Sequence, residues 1–528
     1  MQLQTPRMGR FSLVPIAGGL GAALLVLSWL TTEHFLPWVS WHSEVLAFFA
    51  VFILAWTALI HLWRTNREYL IGVPLLSLPF LLVGVVALGQ MMAGVMTFWG
   101  DVLVVWFYLA LCVVCLSMGF CVETTRSESP DVAPQRWTPH AVLALAFVVG
   151  SIASVTVAFA QVLDLWPHSA WIVRMQYLRR PGGNLAQPNQ LAMLCVMGMA
   201  SVAFLRVSDI LSTPTAALVL LVLCCGLVAT ESRAGVLALA ALLAWWQIKR
   251  SAVARQIPPW AAPAVAVVFL VMFSGWSEFL NLLELQSNAT NRVDAANGRL
   301  VIWPQLLEAI LQRPWWGWGV TQVAKAHNAV AHAYLIGEPY SYSHNLMIDW
   351  AVWMGVPIAL VLSLAAVIWS WRRLKSANQL TSWYCLAVAI PLAVHSMLEF
   401  PFAYAYFLAP VLFLLGSLER RVDAKPLLRL RLGPASVMLL VLNAAMVWSV
   451  IEYFEIEEDF RVVRFEQMRI GNPPAGHDRP DVVLLTQLGT LLSGSRIELR
   501  PGMAPDDLEE LKKLALRYPW IATQYRYG

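Results

Sequence analysis

Charge is scarce in this sequence. Asp, Glu, Lys and Arg make up 13% of its 528 residues, against about 25% in a soluble domain, and the mean hydropathy is +0.63. That excludes an ordinary soluble fold. A net charge of +4 leaves no basic surface of the kind that binds nucleic acid, so no nucleic-acid partner is expected. Cysteine gives no disulfide framework. All seven (Cys112, Cys115, Cys121, Cys195, Cys224, Cys225, Cys385) lie inside apolar segments, and the Cys112–Cys115 spacing lacks the polar surroundings of a metal or redox site, so core packing is expected. There is no HExxH or DxD-type signature and no clear internal repeat. The first apolar stretch lacks a small-residue cleavage site, so it reads as a retained anchor.

What is abundant is apolar sequence in runs of near-spanning length. Thirteen spans (a range of 12–14) are expected, at about 13–30, 43–63, 70–90, 102–122, 140–163, 190–206, 214–230, 235–248, 260–275, 345–371, 381–398, 402–419 and 434–452. The fold class is therefore an all-α polytopic membrane protein. The expected organisation is N-terminal spans in 1–139, central spans in 140–275, a large outer loop in 276–344, further spans in 345–452, and a small helical segment in 453–528. In the last of these, Asp506 to Leu514 has helical apolar spacing, with acids leading and lysines trailing as a helix dipole favours.

Lys and Arg set the orientation. With Arg7 and Arg10 inside, every even-numbered loop is basic: Arg64/Arg67, Arg126/Arg136, Arg206, Lys249/Arg250/Arg255, Arg372/Arg373/Lys375, and Arg420 through Arg431. The outer loops should then be poor in positive charge. Two are not. Arg174, Arg179 and Arg180 follow span 5, and Arg233 sits in the tight turn Glu231-Ser232-Arg233-Ala234-Gly235. A hairpin Arg can snorkel to lipid headgroups; a local rule broken without compensation also marks function.

Polar residues at span ends gather on that same outer side. They are Gln161 and Asp164; Gln187, Asn189 and Gln190; Glu231 and Arg233; His344, Asn345 and Asp349; His395 and Glu399. Such groups at membrane depth face a cavity or each other, so an outer polar chamber is expected. His395 and Glu399, four apart, could pair on one helical face. Arginine forks suit phosphate oxygens, and a histidine takes a proton near neutral pH. Together they suit displacement of a phosphate leaving group by a hydroxyl. Metal assistance is the rival. His327, His332 and His344 are its candidate ligands, but a five-residue spacing between the first two leaves one helical face. The turn Pro314-Trp315-Trp316-Gly317-Trp318-Gly319 reads as an interfacial aromatic belt or a sugar-stacking surface.

At these residues the chain resembles the O-antigen ligase superfamily, and within it the bacterial O-linked protein-glycosylating oligosaccharyltransferases (the PglL-like group). The matching stretches are Arg180-Pro-Gly-Gly-Asn184-Leu-Ala-Gln187-Pro-Asn189-Gln190, Glu231 through Gly235, Gly298-Arg299 with Ile302-Trp303, Pro314 through Gly319, Ser343-His344-Asn345 with Gly355, and His395 through Pro401. The resemblance implies an inner-membrane glycosyltransferase that needs no metal or other cofactor and whose active site faces the periplasm. Its donor would be a glycan on undecaprenyl pyrophosphate. Its acceptor would be a Ser or Thr of an exported protein such as a pilin. It implies His344 as base, Arg233 and Arg299 (with Arg180 beside them) as pyrophosphate ligands, and Asn184, Gln187, Asn189 and Gln190 as the substrate loop. Asn345, His395 and Glu399 complete the expected site. One departure is Phe400, where many relatives carry tyrosine; Tyr404 or Tyr406 could supply that hydroxyl. Alternatives stay open: lipid A-core as acceptor, glycan polymerisation, or, in another class, transport of a lipid-linked anionic glycan.

Overall fold

The computed structural model describes residues 13–127, 137–166, 168–175, 180–253, 257–283, 292–334, 339–471 and 477–527, without the side chains of 13, 14, 123–127, 251–253 and 292–300. It is a helical bundle. Helices α1 (Leu13–Leu30) and α2 (Trp41–Thr65) form a hairpin. Strand β1 (Leu70–Pro74) and a 3-10 turn lead into α3 (Leu78–Met92), followed by α4 (Trp99–Ser127) and α5 (Pro139–Val162). The centre is α6 (Pro188–Val207), flanked by α7 (Thr213–Thr230), α8 (Arg233–Val253) and α9 (Ala261–Leu282). Next come α10 (Arg292–Gln312), α11 (Val323–Ala329), α12 (Leu346–Met354), α13 (Val356–Ser376), α14 (Leu380–Ser396) and α15 (Ala405–Arg421). Strand β2 (Pro426–Arg431) enters α16 (Leu432–Met468), and three short helices close the chain: α17 (Thr486–Arg496), α18 (Pro505–Arg517) and α19 (Ile521–Tyr527).

Position in the bundle follows composition. Helix α6 is apolar all round and packs against α5, α7, α8 and α14; every residue from Gln190 to Val202 is buried, as expected of a helix with no polar face. Helices α9, α13 and α16 bury little and turn their Val and Leu outward, toward lipid. Among the described residues, nine helices are long and apolar enough to cross a membrane, and two shorter apolar helices accompany them.

Close crossings are built on glycine. A Cβ on Gly119 would lie 1.9 Å from the Phe413 carbonyl oxygen, and one on Gly416 would lie 2.0 Å from that of Leu116. Helices α4 and α15 therefore meet backbone to backbone, as small residues permit in membranes. The CxxC cysteines, Cys112 and Cys115, are buried and free on α4.

Four expectations need correction. The span placed at 70–90 begins as a strand, because Leu70–Pro74 pairs antiparallel with β2, Leu70 opposite Arg431 and Gly72 opposite Arg429. The span at 345–371 is broken at Gly355, whose φ of +84° ends α12 and starts α13. The span at 434–452 is the first half of a 37-residue helix, about 55 Å long at 1.5 Å per residue. The loop at 276–344 is largely folded. Its residues Ile302, Leu306, Ala309, Trp318, Val323 and Val330 form a second core with Ala87 and Val102 of α3 and α4. A single polar side chain clips this core together: Gln90 donates to the Trp316 and Trp353 carbonyls (2.9 and 2.7 Å) and accepts from Val320 N–H (2.9 Å). The aromatic turn docks on the α12–α13 break, with Trp318 N–H on Val352 O and Val356 N–H on Pro314 O.

Candidate active site

The site lies at one end of the bundle, where α5–α6, α7–α8, the segment before α12 and the α14–α15 turn converge. It begins with Ser343. Its N–H donates to Asp349 Oδ1 (2.8 Å), its hydroxyl to the Asn345 carbonyl (2.8 Å), and its own carbonyl accepts from Trp303 Nε1 (2.9 Å). Pinned this way, the next residue takes a left-handed backbone: His344 has φ +60°. Residues other than glycine seldom adopt that conformation, histidine more often than most, and it persists where the surroundings hold it. Asn345 then caps α12, accepting from Met347 and Ile348 N–H and donating to the Met397 carbonyl.

The His344 ring meets Glu399, Nδ1 to Oε2 at 2.9 Å. Glu399 is buried. Its other oxygen accepts from Asn189 Nδ2 at 2.7 Å, and Asn189 Oδ1 accepts from the Ser232 hydroxyl at 2.6 Å. Ser232 also takes Gly235 N–H, so it caps α8 beside Arg233. The chain His344–Glu399–Asn189–Ser232 thus ties four segments together. A carboxylate only accepts, so Nδ1 carries the hydrogen and Nε2 offers a lone pair. Helix α14 ends at Ser396; Glu399 follows in the turn, its N–H donating to the His395 carbonyl at 2.6 Å. His395 is buried, with Nδ1 on the Pro391 carbonyl at 2.9 Å.

The remaining anticipated residues divide by use. Gln187 caps α6 through Asn189 N–H (2.6 Å), and Gln190 accepts from Tyr406 Oη (3.0 Å). Both line the cavity in front of His344, as do Tyr404 and Phe400. Asn184 is committed elsewhere, donating to the Leu30 and Trp171 carbonyls and accepting from Val173 N–H; it holds the 171–173 stretch against the end of α1. Arg180 donates to the Thr230 carbonyl (3.0 Å), which brings it to the α7–α8 turn with the exposed Arg233. Arg174 meets His168. The Arg299 side chain and all of Arg179 lie outside the described residues. Phe400 lies edge-on to the His344 ring at 5.1 Å and stacks on Tyr342 at 4.7 Å. Tyr404 stacks on Tyr406 at 5.3 Å.

The cavity is about 2060 Å³. At the site end it is lined by His344, Gln187, Gln190, Tyr342, Asp101 and Arg517. From there it continues as an apolar groove along α4, α13 and α15 to Arg373 and Glu419, which pair at the opposite end. Of the other loop histidines, His327 donates from Nε2 to Gln305 Oε1 (2.6 Å) while Nδ1 accepts from Tyr340 N–H (3.2 Å). Nε2 is therefore the protonated nitrogen. Burial pushes this imidazole down to about 4. His332 is exposed on the Ala329 carbonyl. Among the described residues no three His, Cys, Asp or Glu side chains gather as a metal site would need. Sequence reasoning passed over Ser232, Asp101, Gln90 and Arg517. Asp101 and Gln90 are lone polar groups at the ends of apolar helices, the same signal that singled out Glu399.

A buried polar chain thus ends at a histidine beside an apolar groove, in a multi-pass membrane protein. The comparisons define it further. The O-antigen ligase family model matches residues 217–363, and the model for the C-terminal part of the virulence factor membrane-bound polymerases matches 383–528. Of curated proteins, the general O-oligosaccharyltransferase of Acinetobacter baylyi is 25% identical over 518 residues, covering 94% of this chain and 85% of that protein. The ComP-specific O-oligosaccharyltransferase of the same organism is 27% identical over 348 residues, 64% of this chain and 60% of that protein. The chain is thus similar, along nearly its whole length, to O-oligosaccharyltransferases, and over residues 217–363 and 383–528 to the O-antigen ligases and membrane-bound polymerases.

Proposed function

We propose that this protein transfers an oligosaccharide from undecaprenyl pyrophosphate to a Ser or Thr hydroxyl of an exported protein, on the periplasmic side of the inner membrane. The observation that carries the reading is the His344–Glu399 pair at 2.9 Å at the head of the cavity. The acceptor hydroxyl gives its proton to His344 Nε2 as its oxygen bonds to the anomeric carbon. The bond from that carbon to the phosphate oxygen breaks, and undecaprenyl pyrophosphate leaves with the electron pair. Glu399 holds the tautomer and steadies the imidazolium that forms, as the carboxylate does in serine-protease triads. Arg233 and Arg299, with Arg180 alongside, take the developing phosphate charge. The apolar groove suits the polyprenyl tail. The two O-oligosaccharyltransferase relatives support protein as the acceptor.

The test is transfer in proteoliposomes containing an undecaprenyl-pyrophosphate glycan, chelator, and either a pilin-like protein or lipid A-core. Glycosylated protein from the wild type and none from His344→Ala is the expected result. Transfer to lipid A-core alone would overturn the acceptor. Donor that crosses the bilayer without transfer to either would overturn the enzyme mechanism in favour of transport. Activity surviving in His344→Ala would move the base elsewhere, His395 being next.

A further inference from the structure

The C-terminal segment, to which the sequence gives no chemistry, forms part of the cavity wall. It docks tightly. Gly100 N–H donates to Thr486 Oγ1 at 3.0 Å, and a Cβ at Gly100 would lie 1.9 Å from Gln487 Oε1 and 2.7 Å from Thr486 N. Glu452, near the middle of α16, accepts N–H groups of Val483, Leu484 and Leu485. Arg517, at the end of α18, donates Nε and Nη2 to the two Asp101 oxygens, each at 2.7 Å. Asp101, Gln487, Arg517 and Tyr518 line the cavity that holds His344.

We propose that this wall is a sugar subsite, in which Arg517, oriented by Asp101, and the neighbouring Tyr518 and Tyr342 receive the donor glycan beyond its first residue. The proposal rests on the glycosyl-transfer reading above. Asp101 is buried and neutralises the guanidinium, while the Arg517 side chain remains 20% exposed. Its Nη1 group is hydrogen-bonded to no described residue. A guanidinium fixed in place with its charge balanced has N–H donors to spare, and these suit neutral hydroxyls as well as anions. Arg517 lies over the Tyr518 ring, 4.8 Å from its centroid. Tyr342, stacked on Phe400, connects this wall to His344. Aromatic faces beside rigid donors match a pyranose, which presents C–H groups on one face and hydroxyls around its rim. The cavity itself selects an amphipathic occupant. Its long part is apolar, so a lipid-linked donor with its leaving group at His344 directs its sugars to the polar end. Docking alone does not explain the pair, since a buried ion pair is often no more stabilising than apolar residues of similar volume.

The experiment uses the full chain in proteoliposomes with two donors, undecaprenyl pyrophosphate carrying one sugar or a full oligosaccharide, and measures KM for each donor and for the protein acceptor. Arg517→Lys retains a cation for Asp101 but loses the planar fork. It should raise KM for the oligosaccharide donor about tenfold, the scale of one lost hydrogen bond, with kcat, the one-sugar KM and the acceptor KM unchanged. The double variant Asp101→Leu/Arg517→Met removes the charges together. With the C-terminal segment still resistant to protease, it should show the same donor-length dependence. Equal KM changes for both donors, a change in the acceptor KM instead, or unchanged kinetics with the segment docked would each overturn the subsite. If the wild type transfers neither donor, the transfer reading fails and the subsite with it.

Discussion

His344 is held by its neighbours on both sides of the ring. Its backbone is fixed through Ser343, and its Nδ1 through Glu399. Glu399→Gln keeps the shape but can present an N–H to Nδ1, favouring the wrong tautomer. It should lower kcat by at least about a hundredfold, within the range of general-base effects, with little change in donor KM. A similar KM rise without loss of kcat would remove Glu399 from the mechanism. His327 makes a second residue-scale prediction. Its Nδ1 accepts Tyr340 N–H, and Tyr340 lies 6.0 Å from the His344 ring. Burial holds its pKa at about 4, below the usual 6.5. Between those values the unfolded chain binds the extra proton, so local stability is full above about 6.5 and is lost as pH falls toward 4. The hydrogen-exchange protection factors at 339–345, corrected for the intrinsic pH dependence of amide exchange, should therefore fall on going from pH 7 to pH 5. In His327→Gln that pH dependence should disappear; its persistence would show that another group controls the loop. These residues were partly legible in the sequence. Polar groups at apolar span ends pointed to His344, Glu399, Asn189 and Gln190. Their partnerships were not, because helical spacing relates residues on one helix, whereas Glu399 meets a ring 55 positions away.

At the scale of elements, apolar run length gave the helices but not their interruptions. Gly355 breaks one run where the Pro314–Gly319 turn needs to hydrogen-bond, and a Cβ there would lie 2.4 Å from the Trp315 carbonyl oxygen. A single glycine inside an apolar run carries no such information until its neighbour is known. The same holds for β1, apolar enough to pass for the start of a helix, yet drawn into a ladder by a strand more than 350 residues later. The α4–α15 crossing offers the sharpest test. Gly416→Leu must push α4 away, because the obstacle is the Leu116 backbone rather than a flexible side chain. A loss of about 1–3 kcal/mol, typical of overpacking, should appear as a lower Tm in detergent. An unchanged Tm would mean that the helices can separate without penalty.

At the scale of the molecule, the two ends of the bundle differ. One holds the polar chain to His344. The other holds the β1–β2 ladder, the Arg373–Glu419 pair and Lys249, which donates to Asn378. The proposed orientation, read from the basic loops, puts that second end in the cytoplasm. In a cysteine-free background, Trp171→Cys should react with an impermeant maleimide added to spheroplasts, and Lys425→Cys only after lysis. The reverse pattern would invert the protein. The order in which the chain is made adds a consequence of the Asp101–Arg517 pair, whose members are 416 residues apart. Asp101 enters the membrane early and waits. Every later helix, and then the α16 extension, must be inserted before Arg517 can reach it. Gln487, Arg517 and Tyr518, which complete one wall of the cavity that holds His344, are therefore the last of its lining to be made. On the proposed subsite, grip on a long glycan is then the last property the chain acquires, a consequence of connectivity alone.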